Sequence, residues 1–249
     1  MGENLKSQPL VEALCEFQFN LAGSNELTMP GLFYAEVKED FPDQSLVNEF
    51  SIQVELGTLG GTPQFIRPPQ RLQLKRTDGS AMLQIGQGGL IVNRLQPYVS
   101  WEDFRELIFK AFTTYINLCG EYTLKRISLR YINHLIPLGN EGFKIDDFLT
   151  VIPLFPRPID RPMTGFQQVY EFFYESSKAS LVHRTAVVEK PEGDTVILLD
   201  LDFISQDIFP FQDNSKALEW LREWLNQAHE HIEEAFISSL NPSYYESLK

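Results

Sequence analysis

The sequence predicts an α+β fold with long amphipathic helices packed on a mostly antiparallel sheet. Thr195–Ser205 is an unbroken β-prone run, long enough to cross a sheet, and the longest amphipathic helix of the chain follows it. Asp213 or Ser215 can cap the start of this helix, and Asn241-Pro242 ends it, because proline cannot continue the hydrogen-bond ladder. One face of the helix carries apolar residues at steps of three and four, at Leu218, Leu221, Leu225, Ala228, Ile232 and Ala235. Such a stripe must pack on an apolar surface, most simply a sheet.

Both halves of the chain show the same order of patterns, three β-prone runs followed by a long amphipathic helix. In the first half the runs are Arg71–Arg76, Ala81–Ile85 and Leu90–Leu95, and the helix is Trp101–Leu118, capped by Ser100. In the second half the runs are Phe166–Ser176, Ala179–Glu189 and Thr195–Ser205. This order predicts either two loosely similar halves, each a β-meander followed by a long helix, or one continuous curved sheet that holds both helices.

Proline content indicates where the halves are joined. Residues 153–165 hold four of the fifteen prolines, which is typical of an extended connection. We therefore divide the chain into an N-terminal α+β half at residues 1–140, a proline-rich connection at residues 141–165, and a C-terminal β-meander plus long helix at residues 166–249.

The remaining elements of the first half follow from shorter patterns. Leu10–Asn20 alternates apolar and polar residues and predicts a half-buried strand. A short helix is expected at about Leu32–Asp40 and a second strand at Phe50–Leu56, before a Gly/Pro loop at residues 57–70. Tyr122–Leu135 predicts a long strand after the first long helix.

Charge and composition restrict the class of partner. The chain is 43% apolar, which suits a globular protein, and its net charge is −13. This acidic balance argues against a general nucleic-acid-binding protein and against binding to an anionic membrane. Residues 67–130 differ, because they carry ten basic and five acidic side chains, a local charge of +5. Cys15 and Cys119 sit among apolar residues and lack metal-ligand spacing, and the N-terminus lacks an apolar signal core, so we expect a cytoplasmic protein with buried thiols.

Three blocks of residues together resemble a known family. They are Pro9-Leu10-Val11-Glu12-Ala13 with the phenylalanines of its strand, Leu129-Arg130-Tyr131-Ile132-Asn133, and Leu199-Asp200-Leu201-Asp202 followed by a helix with Ala228-His229 and Phe236. Their order and spacing resemble a sporadically distributed family of uncharacterised prokaryotic proteins of about this length. Members of that family often have Arg after the Asn of the second block, where this chain has His134. The resemblance implies a cytoplasmic prokaryotic protein and no particular reaction.

Asp200 and Asp202 are a candidate metal site. Residues two apart on a strand project from the same face, and paired carboxylates can hold Mg²⁺ or Mn²⁺ in phosphoryl-transfer sites. The alternative is that both acids lie at a solvent-facing strand end while Leu199, Leu201 and Phe203 face the core. His229 and His231 diverge by about 200° on a helix, so they cannot share one metal, and we expect at most one of them to face the sheet. No resident cofactor is predicted beyond a possible divalent metal.

Arg71, Lys75, Arg126 and Arg130 are a candidate anion-binding set. Arg71 and Lys75 share one face of their strand, as do Arg126 and Arg130 of theirs, and neighbouring strands would gather these groups around a phosphate or carboxylate. The alternative is a solvated sheet face on which each basic group pairs with an acid.

These patterns leave three classes of function open. The first is a non-enzymatic binding or accessory protein that recognises a partner protein or a small anionic ligand. The second is a metal-dependent enzyme acting on a phosphate-containing substrate around Asp200 and Asp202. The third is a structural oligomer that associates through its aromatic-rich helix, so a homo-oligomer is a possible partner state.

Overall fold

A computed structural model describes residues 5, 8–21, 28–48, 70–86, 88–136, 144–150, 165–189, 195–206, 211 and 213–249. Strands in this part of the chain are β1 (Leu10–Leu21), β2 (Asp43–Asn48), β3 (Gln70–Lys75), β4 (Ala81–Gly86), β5 (Gly89–Leu95), β6 (Tyr122–Leu135), β7 (Gln167–Tyr174), β8 (Ala179–Glu189) and β9 (Thr195–Ser205). The α-helices are α1 (Met29–Val37), α2 (Trp101–Cys119), α3 (Asn214–Ser239) and α4 (Pro242–Leu248). The α+β class predicted from the sequence is confirmed.

All nine strands belong to one antiparallel sheet with the order β2-β3-β4-β5-β1-β6-β9-β8-β7. β1 pairs with β6 and β5, so the first strand of the chain lies in the interior of the sheet. A single sheet corresponds to the second of the two arrangements expected from the sequence. The division into two loosely similar halves is not confirmed.

Alternation along β1 separates the two faces of the sheet. Ala13, Cys15 and Phe17 are fully buried, whereas the alternate residues Glu12, Leu14 and Glu16 are partly exposed. The buried side packs against the helices, as the rings of Phe17 and Phe112 of α2 show with centroids 4.8 Å apart. We call this side the helix face and the opposite side, which carries Glu16, the distal face.

The long helix α3 covers the C-terminal strands as its apolar stripe predicted. Leu221, Leu225 and Ile232 are fully buried. The Nε1 of Trp224 on α3 donates a hydrogen bond to the Oγ of Ser205 at the end of β9, at 3.0 Å. Asp213 caps the helix, because its carboxylate accepts from the backbone N–H of Lys216 at 2.9 Å.

Two further helix ends depend on proline. Pro30 lies in the first turn of α1, which therefore begins at Met29 and ends at Val37 instead of covering Leu32–Asp40. Pro242 occupies the first turn of α4, and the side chain of Asn241 accepts from Ser243 N at 2.9 Å, so the pair that ends α3 also begins a helix that was not predicted. None of the helices within the described ranges is long and apolar enough to cross a membrane.

Some expected elements lie outside the described residues. They are the strand Phe50–Leu56, nearly all of the Gly/Pro loop at residues 57–70, and most of the proline-rich connection at residues 141–165. β3 pairs with β4 on one side and with β2 (Asp43–Asn48) on the other, and β2 was not predicted from the sequence.

Candidate functional site

The register of the central strands places the candidate metal residues and two of the candidate anion-binding residues on the distal face. Directly opposite residues of an antiparallel pair share one face of the sheet. Asp202 of β9 is opposite Arg130 of β6, and Arg130 is opposite Leu14 of β1, which lies between the distal-face residues Glu12 and Glu16. Asp200 is two residues from Asp202 on β9, and Arg126 is four residues from Arg130 on β6, so both also lie on the distal face.

Asp200 is held by two guanidinium groups. Nε and Nη2 of Arg130 donate to its two carboxylate oxygens, each at 2.7 Å, and Arg184 of β8 approaches Oδ2 at 3.4 Å. The carboxylate is 2% exposed, whereas the Arg130 side chain is 36% exposed. The hydrogen bonds to Asp200 raise the pKa of Arg130 further above its ordinary value. The guanidinium groups of Arg130 and Arg184 therefore balance the negative charge of Asp200, and the contact with Arg130 has the geometry of a bidentate ion pair.

Asp202 lies in the same cluster with less direct pairing. The Nη1 of Arg184 is 3.9 Å from its Oδ2, and its Oδ1 is buried with no hydrogen-bond partner among the described residues. Burial raises the pKa of Asp202, and the nearby charges of Arg126, Arg130 and Arg184 oppose this rise. This carboxyl is therefore a buried group surrounded by guanidinium groups.

A second cluster forms around Glu16. The Nη1 of Arg126 donates to Glu16 Oε2 at 2.7 Å, and Arg71 Nη2 lies 3.9 Å from Oε1. Burial tends to raise the pKa of Glu16, but a hydrogen bond from Gln18 and the charge of Arg126 lower it on balance. Glu16 therefore carries its negative charge between two arginines.

Two glycines explain how Arg71 of β3 reaches Glu16 of β1 across two intervening strands. Gly86 of β4 pairs with Gly89 of β5, and Gly89 pairs with Gln18 of β1. Because glycine has no side chain, neither residue blocks the distal face between Arg71 and β1. A Cβ added to Gly86 would lie 3.1 Å from the Cγ of Arg71. Gly86 and Gly89 therefore open the path of this guanidinium to Glu16.

The structure brings the candidate anion-binding residues into two clusters instead of one. Arg71 and Arg126 meet at Glu16, and Arg130 meets Asp200. Lys75 is exposed on β3 and forms no ion pair with another described residue. The three arginines thus contact carboxylates, which favours the salt-bridged alternative. Anion binding by this set stays a prediction.

The acid pair also stays a prediction as a metal site. Arg130 and Arg184 occupy positions around Asp200 that a divalent cation would have to take, and they already supply positive charge there. Within the described ranges no group of three or more His, Cys, Asp or Glu side chains is arranged to hold a metal ion. The notion that both acids lie at a solvent-facing strand end is wrong, because Asp200 and Asp202 are 2% and 5% exposed.

Both histidines of α3 contact aromatic residues, so the expectation that at most one faces the sheet is wrong. His229 stacks on Trp101 of α2 at 4.2 Å between ring centroids, and its Nδ1 is hydrogen-bonded to the Tyr131 hydroxyl at 3.0 Å. His231 stacks on Phe203 of β9 at 5.2 Å. The two rings lie on opposite flanks of the helix, which agrees with their divergence.

His229 predicts a pH dependence of stability. Burial lowers its pKa from an ordinary 6.5 to about 3, so between these values the unfolded state binds a proton that the folded state does not. Stability should therefore fall as pH falls below 6.5, with about 2 kcal/mol lost between pH 7 and pH 5 through this residue. Urea unfolding of the parent and of His229→Gln at both pH values should show a pH loss smaller by about that amount in the variant. Equal losses in the two proteins would contradict the assignment.

β7, at one end of the sheet, exposes apolar side chains on both faces. Val169 and Phe173 lie on the distal face and are 54% and 67% exposed. Tyr170 and Phe172 lie on the helix face and are 40% and 51% exposed, beyond the cover of α3. Scattered single apolar residues are ordinary at protein surfaces, but a contiguous strand of them is typical of interaction sites.

The backbone of β7 presents hydrogen-bonding groups on its outer side. Val187 N donates to Phe166 O at 3.1 Å, so Phe166 and Val187 form a hydrogen-bonded pair at the start of the β7–β8 ladder. Hydrogen-bonded and non-hydrogen-bonded pairs alternate in antiparallel ladders. Gln167, Val169, Glu171 and Phe173 therefore direct their N–H and C=O groups away from β8. Within the described ranges, no strand pairs with this outer side.

Comparisons with known proteins do not assign a function. The chain matches no protein-family model, no curated protein and no solved structure. The family resemblance noted from the sequence stays a prediction.

Proposed function

We propose that this protein is a non-enzymatic binding protein that recognises a partner protein by adding an extended segment of that partner to β7. The single observation that carries the proposal is the outer edge of β7, where outward N–H and C=O groups coincide with exposed apolar side chains on both faces. Strand addition uses these two features together, because the backbone groups supply affinity and alternate side chains supply specificity.

The composition of β7 supports a binding role over a protected edge. Sheet edges are usually blunted by charged side chains, especially lysine, by proline, by a bulge or by a short strand, which prevent unwanted pairing. β7 has the sequence QQVYEFFY over eight residues, with neither lysine nor proline, and Glu171 is its one charged residue. Its register with β8 is regular from Gln167 to Tyr174, without a bulge. An edge left in this state is an aggregation hazard unless a partner covers it.

The opposite edge of the sheet supplies an internal comparison. β2 is shorter, with the sequence DQSLVN over six residues, and begins with an acid. Leu46 is the one large apolar residue of β2 that is more than half exposed, at 70%. Two edges of one sheet therefore differ in apolar exposure, and the proposal concerns β7 alone.

A random ten-residue peptide library displayed on phage tests the proposal. We expect the parent protein to select peptides that alternate apolar residues, and synthetic copies of these peptides to lose binding at least tenfold to the Val169→Lys/Phe173→Lys variant, because lysines disfavour edge pairing. Both positions are exposed, so the variant should stay folded. The lysine at position 169 is directly opposite Arg184, so a loss of up to about 1 kcal/mol is expected.

Leu46→Lys on β2 is the matched control, because it places the same charge on the other edge of the sheet. The control should bind the selected peptides as the parent does. Selection of no peptides, or of peptides that bind the β7 variant as tightly as the parent, would contradict the proposed function.

The proposal also includes the relation between the two halves of the chain, the cellular location and the source of the protein. The meanders β3-β4-β5 and β7-β8-β9 each run inward from the side of the sheet and are each followed by a long helix, which supports two related halves. The two cysteines are free and buried, which supports a reducing, cytoplasmic location. The family resemblance supports a prokaryotic source.

A further inference from the structure

Charged side chains of the distal face alternate in sign across five adjacent strands. β1 carries Glu12 and Glu16, β6 carries Arg126 and Arg130, and β9 carries Asp200 and Asp202. β8 then carries Arg184, and β7 carries Glu171, which is opposite Val182 and exposed. Opposite charges on neighbouring strands attract, and like charges directly opposite each other are destabilising.

Several of these alternating groups are joined by ion pairs. Arg126 bonds Glu16 at 2.7 Å, Arg130 bonds Asp200 at 2.7 Å, and Arg184 lies 3.4 Å from Asp200. Ion pairs therefore connect neighbouring strands from β1 through β6 and β9 to β8. It ends in an acid, Glu171, on the strand whose outer side faces away from the sheet.

We propose that the segment added to β7 carries a lysine or arginine beside Glu171, on the distal face. This inference rests on the proposed function and names the chemistry of its partner. A basic residue there continues the alternation of charge to a sixth strand. Val169 and Phe173 are exposed and lie two residues to either side of Glu171 on the same face. They supply apolar contacts for the partner residues two positions before and after the basic residue. The net charge of −13 also favours a basic partner over an acidic one.

The same geometry disfavours a second copy of this chain as the occupant. Two antiparallel copies of β7 that extend the sheet with their distal faces aligned must pair odd-numbered residues with odd-numbered residues, because opposite residues share a face. Each copy then places its Glu171 on the same face as the other, so acidic strand meets acidic strand and the alternation is broken. Both chains also carry a charge of −13.

The test is a charge exchange between Glu171 and the peptide. Selection from the same random peptide library should enrich lysine and arginine at one fixed position on the parent protein, and aspartate and glutamate at that position on Glu171→Lys. For synthetic peptides that differ only there, lysine should bind the parent about tenfold more tightly than glutamate, and the order should reverse on Glu171→Lys. Glu171→Gln should show little preference between the two peptides.

The outcomes separate this inference from the proposed function. If peptides bind the parent and lose binding to Val169→Lys/Phe173→Lys, but the charge at this position has no effect, the inference fails and the proposed function stands. If no peptide binding depends on β7, both fail. A parent protein that is dimeric at micromolar concentration, and monomeric as Val169→Lys/Phe173→Lys, overturns the inference because a second copy then occupies the edge.

Discussion

Replacing Leu225 by alanine should cost about 2–5 kcal/mol of unfolding free energy. Leu225 is fully buried on the face of α3 that meets the sheet, between the equally buried Leu221 and Ala228. The loss combines the transfer free energy of the removed methyl groups with that of the cavity they leave, and the packed surroundings can relax only in part. Urea unfolding of both proteins measures the difference directly.

Glu219→Ala on the exposed side of the same helix is the control, and it should change stability by less than about 0.5 kcal/mol. A loss under about 0.5 kcal/mol for Leu225→Ala would show that α3 is peripheral to the core. The architecture in which α3 covers β6 and β9 would then be wrong.

Arg130→Ala should cost about 3 kcal/mol, because it removes the bidentate partner of a carboxylate that is 2% exposed. Arg184 remains 3.4 Å from Asp200 and offsets part of the loss, which places the estimate at the lower end of the range for a broken buried pair. The measurement is again urea unfolding at neutral pH. A large loss supports a structural role for the arginine cluster on the distal face.

Lys125→Ala on the same strand is the matched control, since Lys125 is exposed, and it should leave stability nearly unchanged. The anion-binding alternative makes the opposite prediction for Arg130. Suppose that the parent binds inorganic phosphate, and that Arg130→Ala folds as stably as the parent but no longer binds it. Arg130 then binds a ligand, and the salt-bridged interpretation of the distal face is wrong.

Local sequence patterns predicted several elements to the residue. Tyr122–Leu135, Ala179–Glu189 and Thr195–Ser205 have the bounds expected from their apolar runs and flanking turns. The cap of α2 was also predicted, and Ser100 Oγ accepts from Asp103 N at 3.1 Å. These features succeed because alternation and capping depend on residues that are neighbours in the chain.

Elements with weak local patterns were missed. β2 has the sequence DQSLVN, in which only Val47 is β-branched, and it forms as a strand because β3 lies beside it. α4 was missed because a proline after a helix indicates a stop, whereas Pro242 also suits the first turn of a new helix.

The candidate site depended on contacts that no local pattern contains. The parity of Arg126 with Arg130 and of Asp200 with Asp202 correctly placed each pair on one face. Their partners Glu16 and Arg184 are 110 and 16 residues away along the chain from Arg126 and Asp200, and only the strand order brings them together. The same order decides that β7 is an edge. Arg184 had one usable signal, a charged residue in the middle of a β-prone run.

Hydrogen exchange of the β7 amides tests the central claim most directly. Gln167, Val169, Glu171 and Phe173 direct their amides outward, and a peptide that adds to this edge must hydrogen-bond them. With a selected peptide bound, we expect these four amides to exchange at least tenfold more slowly, while the β2 amides keep their rates. Bound peptide that leaves all four rates unchanged would contradict strand addition at β7.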